Sequence, residues 1–311
     1  MFSFIQKQWF LIGIATASLL GYFHPEWGVS IGNYDVIGIG VFLAFFSTGL
    51  CLETRGILRQ INSFRAPVAA ILSSLVLYPI LAWLLALPLL PYEFVVGICI
   101  IGVGPVTVSS GTILTAIARG NVPLSILICI STSCLAIFTI PVVLNVLLSV
   151  GTDIELPILG MLMGLVLKIL VPIAFGQLLR PLIKNVVKRY DHQLSIFQSC
   201  IIILIIFNVV SNSADNLTQA GSVVIGVTIF VICLHFLMLL INYMIAGLIK
   251  IDRASTIAFT IHTSQKTLTV SYIVWASYFA AEYPMAFIPA IVCQLTQMCL
   301  GTFLAEYFKK T

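Results

Sequence analysis

The chain alternates between long apolar segments and short polar ones. Ten apolar runs follow one another, and each is long enough to cross a hydrocarbon layer about 30 Å thick as a helix. These runs lie near residues 6–23, 36–52, 67–90, 94–118, 122–149, 157–181, 194–212, 220–249, 254–279 and 284–307. The pattern predicts an all-α polytopic membrane protein with ten transmembrane helices.

Polar residues interrupt two of these runs. The fourth run contains the glycine- and hydroxyl-rich stretch 102–112, and the ninth contains the stretch 257–270, whose middle is almost wholly polar. Because hydrocarbon offers no water for hydrogen bonding, polar groups at that depth must face protein or a wet cavity. Broken helices at corresponding places in the two halves of a chain indicate the binding site of a secondary transporter.

The basic residues predict the orientation of the runs. All but two of the fifteen Lys and Arg residues lie in alternate polar segments, and the intervening loops contain acidic residues but no Lys or Arg. The positive-inside rule then places both termini in the cytoplasm, which requires an even number of spans. With five spans per half, the second half is inverted relative to the first. We therefore predict inverted five-helix repeats at 1–150 and 151–311.

Composition excludes several classes of protein. The chain is 60% hydrophobic and 8% charged, with a mean hydropathy of +1.13, whereas about a quarter of the residues of soluble proteins are charged. The net charge of +4 lies in short loops, so no nucleic-acid partner is expected. Eight scattered cysteines and four histidines form no disulfide, zinc or nucleophile–base pattern. We expect no enzyme, no cofactor and no metal site apart from a sodium site.

Two lysines, Lys168 and Lys266, lie inside predicted spans without an acidic residue at the same depth. An ionisable residue within the membrane is a functional candidate by default. Lys266 lies in the polar stretch of the ninth run, and its alternative role is structural, donating to carbonyls that the break exposes. Lys168 precedes Pro172 and either snorkels to the interface or binds carbonyls freed by the proline kink.

The polar side chains of the fourth, fifth and ninth runs suit ion and substrate binding. Their oxygens could coordinate a hard cation, and half-helix N-termini could bind an anion. Serine and threonine in membrane helices also bond back to their own helix, which is the structural alternative. His262 is a candidate proton carrier, His235 a packed core histidine, and Asn208 either lines a cavity or bridges helices. The candidate substrate- and ion-binding residues are Thr107, Ser109, Ser110, Thr112, Ser125, Thr132, His262, Thr263, Ser264, Gln265, Lys266 and Thr267, with Lys168 and Asn208 as further candidates.

Four motifs carry a resemblance to a known family. They are Gly49–Glu53 at the end of the second run, Pro105–Thr112 followed by Leu114-Thr115 and Arg119-Gly120-Asn121, Leu170–Pro181, and Ser264–Leu268. In these motifs and their order the chain resembles the bile acid:sodium symporter (solute carrier 10-like) family, and within it the orphan branch of sodium-dependent transporters. The resemblance covers nearly the whole chain.

The resemblance implies an architecture and a mechanism. Members of the family have ten helices in two inverted repeats, divided into a panel and a core domain. Spans four and nine unwind and cross in the core, with cation sites beside the crossing. The substrate binds in the cavity between core and panel, and access alternates by movement of the core.

The chain departs from the bile-acid branch at the cation sites. In that branch span nine carries a glutamate that helps bind sodium, whereas the matching position here, near Thr260–Ile261, has no carboxylate. The span-three glutamine of that branch appears as Ser74. Lys266 occupies the crossing instead. A fixed ammonium could replace one bound cation, or it could exchange a proton during transport.

The sequence therefore predicts a secondary active transporter that moves a small or amphipathic organic anion with sodium coupling by alternating access. A proton-coupled carrier or a cation/proton exchanger using Lys266 is the alternative within transport. A non-transporting regulator of ion homeostasis is the alternative from another class. The expected partners are an organic anion, a sodium ion or a proton, and the lipid bilayer. The expected location is a plasma membrane or a bacterial-type inner membrane.

Overall fold

The computed structural model describes residues 2–32, 34–52, 65–107, 110–149 and 156–310. These residues form helices and turns, and no β-strand occurs among them. The prediction of an all-α protein is confirmed.

The chain divides into two compact units. One comprises Met1–Leu52 with Leu167–Val224, and the other comprises Glu53–Val166 with Ile225–Thr311. Each unit therefore takes segments from both predicted halves of the chain. The predicted inverted repeats at 1–150 and 151–311 are halves of the sequence, whereas these units are groups of helices that contact one another. The repeats stay a prediction.

The first unit is organised around α10, a kinked stretch of 42 helical residues. Its helices are α1 (Phe2–Phe23), α2 (Pro25–Gly32), α3 (Val36–Cys51), α10 (Val171–Asn212) and the beginning of α11 (Ala214–Leu248). Helix α10 packs most extensively against α3 and also contacts α1 and α2. Its backbone leaves helical geometry at Ile183 and Tyr190, between the predicted sixth and seventh apolar runs.

Two glycines allow α3 and α10 to approach each other closely. A Cβ atom on Gly176 would overlap the Phe46 carbonyl oxygen and lie 2.9 Å from the Leu50 nitrogen. A Cβ atom on Gly49 would overlap the Ile173 carbonyl oxygen. Small residues at such crossings let membrane helices pack backbone against backbone.

The same crossing satisfies the end of α3. The last carbonyls of a helix lack backbone donors. Here the Gln177 side-chain amide donates to the carbonyls of Gly49 and Leu52 over 2.6 and 2.8 Å, and Arg180 Nε donates to that of Leu50 over 2.9 Å. The 170–181 motif therefore supports the end of α3 in this unit. Glu53, the last residue of the 49–53 motif, lies outside the described residues.

We expect Gly176→Ala to destabilise the protein by about 1–3 kcal/mol, because the new methyl group has only backbone atoms to displace. The matched control is Gly226→Ala in α11, where a Cβ atom would meet nothing within 4 Å. Alanine there is expected to be neutral or to stabilise the helix by up to about 1 kcal/mol. Thermal unfolding of both variants in detergent tests the packing. Equal melting temperatures for the two variants would contradict it.

The second unit contains the remaining helices. They are α4 (Arg65–Leu72), α5 (Tyr78–Ala86), α6 (Tyr92–Val103), α7 (Ser110–Ile117), α8 (Val122–Ser149), α9 (Ile158–Leu165), most of α11, α12 (Arg253–Thr263), α13 (Leu268–Tyr278) and α14 (Ile288–Lys310), with a π-helical turn at Ser73–Leu77 and a 3₁₀ turn at Pro284–Phe287. Helix α6 is apolar on every side and buried from Phe94 to Val103. It packs against α5, α8, α13 and α14 and forms the centre of the unit.

Five helical stretches of the described residues are long and apolar enough to cross a membrane. They are Arg65–Ala86, Val122–Ser149, Ile158–Asn212, Ala214–Leu248 and Pro284–Lys310. A sixth is obtained if α2 and α3, bent by 68°, count as one span. Ten spans are therefore not confirmed and stay a prediction. The 55-residue stretch Ile158–Asn212 contains two predicted runs, and the fourth and ninth runs are each divided into two short helices.

Candidate functional site

The two interrupted runs meet in the second unit. Pro105 lacks an N–H and disfavours helical backbone at Gly104, so α6 ends at Val103 and the backbone is extended at Gly104. Helix α12 ends at Thr263, and α13 begins at Leu268, so four residues separate the two helices. The N–H of Thr267 donates to the carbonyl of Pro105 over 3.1 Å. The two interruptions therefore contact each other through their backbones.

The side chain of Lys266 lies at this meeting point and is fully buried. Its ammonium donates to the carbonyl oxygen of Ser74 over 2.6 Å, to the Ser74 hydroxyl over 3.1 Å and to the carbonyl oxygen of Gly104 over 2.8 Å. The same nitrogen lies 4.5 Å from the centroid of the Tyr78 ring, a cation–π distance. No carboxylate of the described residues forms an ion pair with it. Neutral oxygens and an aromatic face hold this charge.

A local break in α-helical hydrogen bonding supplies the Ser74 carbonyl. In the π-helical turn the Tyr78 N–H donates to the carbonyl of Ser73, five residues back, rather than to that of Ser74. The next residue, Pro79, has no N–H to offer. Because the Ser74 carbonyl has no donor from its own turn, it is available to the ammonium. The Gly104 carbonyl follows the C-terminus of α6, where the helix dipole also favours a cation.

A glutamine of α14 holds the backbone of Lys266. The Lys266 N–H donates to Gln297 Oε1 over 2.8 Å, and Gln297 Nε2 donates to the Lys266 carbonyl over 2.8 Å. Gln297 Nε2 also donates to Gln294 Oε1. The side-chain amide thus replaces the backbone partners that Lys266 loses in the break, which fixes the lysine without a helix.

A buried amide of α11 connects the π-helical turn to the ninth-run break. The Ser73 hydroxyl donates to Asn242 Oδ1 over 2.5 Å, and Asn242 Nδ2 donates to the Ser264 hydroxyl over 2.8 Å. The Ser264 hydroxyl in turn donates to the Thr260 carbonyl. Each of the three side chains has a partner, and this chain of hydrogen bonds positions Ser264 beside Lys266.

His262 forms a second polar centre beside the two interruptions. Its Nε2 lies 2.6 Å from the carbonyl oxygen of Thr107, which only accepts, so this nitrogen carries a proton. Its Nδ1 is hydrogen-bonded to the Ser125 hydroxyl, and Ser125 lies 3.4 Å from the Thr112 hydroxyl. The ring is fully buried. A Cβ atom on Gly111 would overlap this ring, so glycine leaves room for the imidazole at the beginning of α7.

A third set of contacts joins the fourth and ninth runs. The hydroxyls of Thr107 and Ser110 lie 2.9 Å apart, and Ser110 donates to Gln265 Oε1 over 3.0 Å. The Gln265 Nε2 and the hydroxyls of Thr260 and Thr263 are buried and have no hydrogen-bond partner among the described residues. Donors and hydroxyls of this kind are costly to bury unless a ligand or water pairs with them.

Most of the predicted site residues lie in this region. The contacts described above include Thr107, Ser110, Thr112, Ser125, His262, Ser264, Gln265, Lys266 and Thr267. Thr263 is buried, and its hydroxyl has no partner among the described residues. Thr132 differs, because its hydroxyl donates to the carbonyls of Ile128 and Cys129 in its own helix. Ser109 lies outside the described residues.

Lys168 and Asn208 belong to the other unit. Lys168 is exposed on the π-helical turn Val166–Leu170. Asn208 is buried, and its Nδ2 donates to the carbonyl of Gly28 over 2.9 Å, which bridges α10 to α2. This contact is the helix-bridging role considered for Asn208. Among the described residues, no three His, Cys, Asp or Glu side chains lie together as metal ligands.

Sequence reasoning missed Tyr78, Asn242 and Gln297. Asn242 and Gln297 are amides within long apolar runs, and such isolated polar side chains are a usable sign of hydrogen bonds between membrane helices. Pro79 is visible in the sequence as a residue that disrupts helical hydrogen bonding, but the pattern does not show that the Ser74 carbonyl faces Lys266. No sequence signal pairs Tyr78 with a lysine that lies 188 positions further along.

Relatives of this chain align along nearly its whole length. Sodium/bile acid cotransporter 7-A of Xenopus laevis is 27% identical over 321 residues, covering 98% of this chain and 92% of that protein. The uncharacterized sodium-dependent transporter YocS of Bacillus subtilis is 25% identical over 306 residues, covering 97% and 91%. The probable sodium/metabolite cotransporter BASS4, chloroplastic, of Arabidopsis thaliana is 24% identical over 320 residues, covering 98% and 73%.

A family-level comparison agrees with these relatives. The sequence profile of the SBF-like CPA transporter family matches residues 8–310. The resemblance to bile acid:sodium symporters is thereby confirmed. Together with the long apolar helices, the match identifies a multi-pass integral membrane protein. The chain belongs to the SBF-like CPA transporter family, a family of transporters and not of enzymes.

Proposed function

We propose that this protein moves a small or amphipathic organic anion across the membrane with sodium coupling, by alternating access. The observation that carries the proposal is the buried ammonium of Lys266 where the two interrupted helices meet. Relatives named as sodium/bile acid and sodium/metabolite cotransporters support sodium as the coupling ion and an organic anion as the substrate.

In this proposal the Lys266 ammonium replaces one bound cation. Its partners are two carbonyl oxygens and a hydroxyl oxygen, the ligand types that a hard cation prefers. The end of α6 adds a favourable dipole. A transporter without this lysine would bind a sodium ion at the same place in each transport cycle. With the lysine fixed there, this chain would need one sodium ion fewer per cycle.

A sodium ion would bind on the other side of the crossing. Thr107, Ser110, Thr112 and Ser125 bring four hydroxyl groups together around the His262 ring and the Gln265 amide. Hydroxyl and amide oxygens are suitable ligands for a hard cation. Movement of α7 against α12 would change this set of oxygens, so ion binding and the conformational change would be linked.

The anion would bind where α7 and α13 begin. Helix N-termini carry partial positive charge and unpaired N–H groups, and such half-helix ends point at anionic substrates in transporters. The buried Gln265 Nε2, which lacks a partner among the described residues, is a donor for a carboxylate or sulfonate oxygen. The nearby Lys266 adds positive potential.

Proton coupling is the second candidate function, and two observations favour it. The Lys266 ammonium has no carboxylate partner among the described residues, so loss of its proton would leave no unpaired anion beside it. The Ser125 hydroxyl can rotate to donate to His262 Nδ1 or to accept from it, so the histidine can hold or release a proton at that atom.

Sodium is expected to raise the melting temperature of the purified protein relative to potassium and choline, because it binds the folded state only. At a hundred times its dissociation constant it would contribute about 2.7 kcal/mol. Ser110→Ala is expected to weaken this sodium response. The matched control is Thr132→Val, which should keep it, because the Thr132 hydroxyl bonds to carbonyls of its own helix.

The measurement is thermal unfolding in the three salts at two pH values. If sodium does not change the melting temperature of the wild type, and pH changes it in the wild type but not in Lys266→Ala, the protein is proton-coupled rather than sodium-coupled. A protein that responds to sodium but moves no solute in liposomes would be a regulator of ion homeostasis.

A further inference from the structure

The second unit has another polar feature, away from the contact between the two interrupted runs. The end of α7, the beginning of α12 and the end of α14 surround a cleft of about 350 Å³. Four of its lining residues are cationic and none is acidic; they are Arg119, Arg253, Lys309 and Lys310. The other lining residues are apolar, namely Ala118, Ala254, Ile257 and Phe308. This combination of charge and apolar surface is not used by the transport site.

The backbone of Arg119 is held in an unusual conformation. Helix α7 ends in a Schellman motif, in which the Gly120 N–H donates to the Thr115 carbonyl over 2.8 Å and the Arg119 N–H to the Ala116 carbonyl over 3.1 Å. Arg119 occupies the left-handed position of this motif with φ of +58°, where glycine is the usual residue. The backbone therefore does not explain an arginine here. Its side chain lines the cleft.

Lys250 provides a comparison within the same chain. Helix α11 ends in the same way, with the Ile251 N–H directed to the Ala246 carbonyl and the Lys250 N–H to the Gly247 carbonyl. Lys250 has φ of +54° and is exposed, but it does not line the cleft. Arg119 and Lys250 thus have the same backbone conformation and the same charge, but only Arg119 lines the cleft.

The other side of the cleft is held in place by packing. Arg253 donates to the Phe308 carbonyl over 3.2 Å and ties the beginning of α12 to the end of α14. Beneath it, Leu114, Ala118, Ile257, Ile261 and Ala305 form one buried apolar cluster. The cleft therefore rests on packed helices rather than on loops.

The acidic residues nearby in sequence are already engaged. Asp252 accepts hydrogen bonds from the Ser255 N–H and hydroxyl at the beginning of α12, and these bonds hold the pKa of its carboxyl below the usual value. Glu306 lies 3.9 Å from Lys309, with both side chains about half exposed, an arrangement that contributes little.

We propose that this cleft binds an anionic phosphate group, such as the head group of an anionic phospholipid. Arginine and lysine are the usual partners of phosphate oxygens, and basic pockets between membrane helices bind lipid head groups. The apolar lining would contact the part of the lipid next to its phosphate. Because α7 and α12 both continue into the crossing, a bound phosphate would hold the outer ends of the two half-helices together.

The test uses the purified full-length protein in neutral detergent. Short-chain phosphatidylglycerol, short-chain phosphatidylcholine and inorganic phosphate are titrated, and the melting temperature reports binding. Two variants are compared, Arg119→Gly and Lys250→Gly. Each removes one positive charge and relaxes one left-handed residue, so neither is expected to unfold the protein.

We expect phosphatidylglycerol, but not phosphatidylcholine, to stabilise the wild type. In Arg119→Gly its half-saturating concentration should rise at least about fivefold, whereas Lys250→Gly should stay within about twofold of the wild type. Stabilisation by inorganic phosphate with the same dependence on Arg119 would identify the phosphate group alone as the ligand. Stabilisation by the lipid only would identify a lipid site. Equal losses in both variants, or no loss in Arg119→Gly, would overturn the proposal.

Discussion

Lys266→Ala is expected to bind one more sodium ion per chain than the wild type. Removing the side chain leaves the Ser74 carbonyl, the Ser74 hydroxyl and the Gly104 carbonyl without their donor. Leaving buried acceptors unpaired costs about 1–3 kcal/mol each, so the variant should be strongly destabilised in potassium or choline. The space left by the ammonium then suits a sodium ion, which restores both the charge and the contacts.

Two further variants test whether the effect of Lys266→Ala comes from the lost charge, from the lost side-chain volume or from removing any lysine. Lys266→Met fills most of the same space without a charge, so it should lose stability and regain little of it in sodium. Lys168→Ala removes an exposed lysine and should leave sodium binding unchanged. Equilibrium binding of radioactive sodium and thermal unfolding across sodium concentrations give the two readings. A Lys266→Ala variant with the sodium stoichiometry and the thermal response of the wild type would rule out a cation-replacing lysine.

The two interruptions could be located from the sequence because polar residues are conspicuous in a membrane-spanning segment. A proline-glycine break and a lysine among hydroxyls cannot face hydrocarbon, so the stretches 102–112 and 257–270 had to face protein or a wet cavity. The contact between Thr267 and Pro105 is the physical result of that constraint. Local pattern was sufficient to find both interruptions.

The partners of Lys266 could not be predicted in the same way. The Ser74 carbonyl is available only because Tyr78 bonds in π-helical register and Pro79 has no N–H, and the register is a property of the folded helix. Gln297 substitutes for missing backbone bonds, a role that no spacing rule assigns. The span count is a further example: hydropathy separates the sixth and seventh runs at a polar segment, and within α10 the backbone leaves helical geometry there, at Ile183 and Tyr190, without a loop between the two parts.

His262 and His235 offer the clearest contrast within one chain. Both rings are buried, but His262 bonds through both nitrogens to Thr107 and Ser125, whereas both nitrogens of His235 lack a partner among the described residues. The same substitution should therefore have opposite effects at the two sites. His262→Leu leaves a carbonyl and a hydroxyl unpaired and should destabilise the protein by about 2–4 kcal/mol. His235→Leu removes buried polar atoms and should be neutral or stabilising by about 1 kcal/mol.

Sodium dependence extends this contrast from stability to function. The hydroxyls proposed to bind sodium surround the His262 ring, so His262→Leu should raise the sodium concentration needed for half-maximal stabilisation at least about tenfold, whereas His235→Leu should leave it unchanged. Thermal unfolding across sodium concentrations measures both quantities for each variant. If His262→Leu lowers the melting temperature but keeps the sodium dependence of the wild type, the histidine only packs between α7, α8 and α12, and the hydroxyl cluster is not the ion site. If the melting temperature falls and the sodium dependence also weakens in His262→Leu, the ring positions the oxygens that bind the ion.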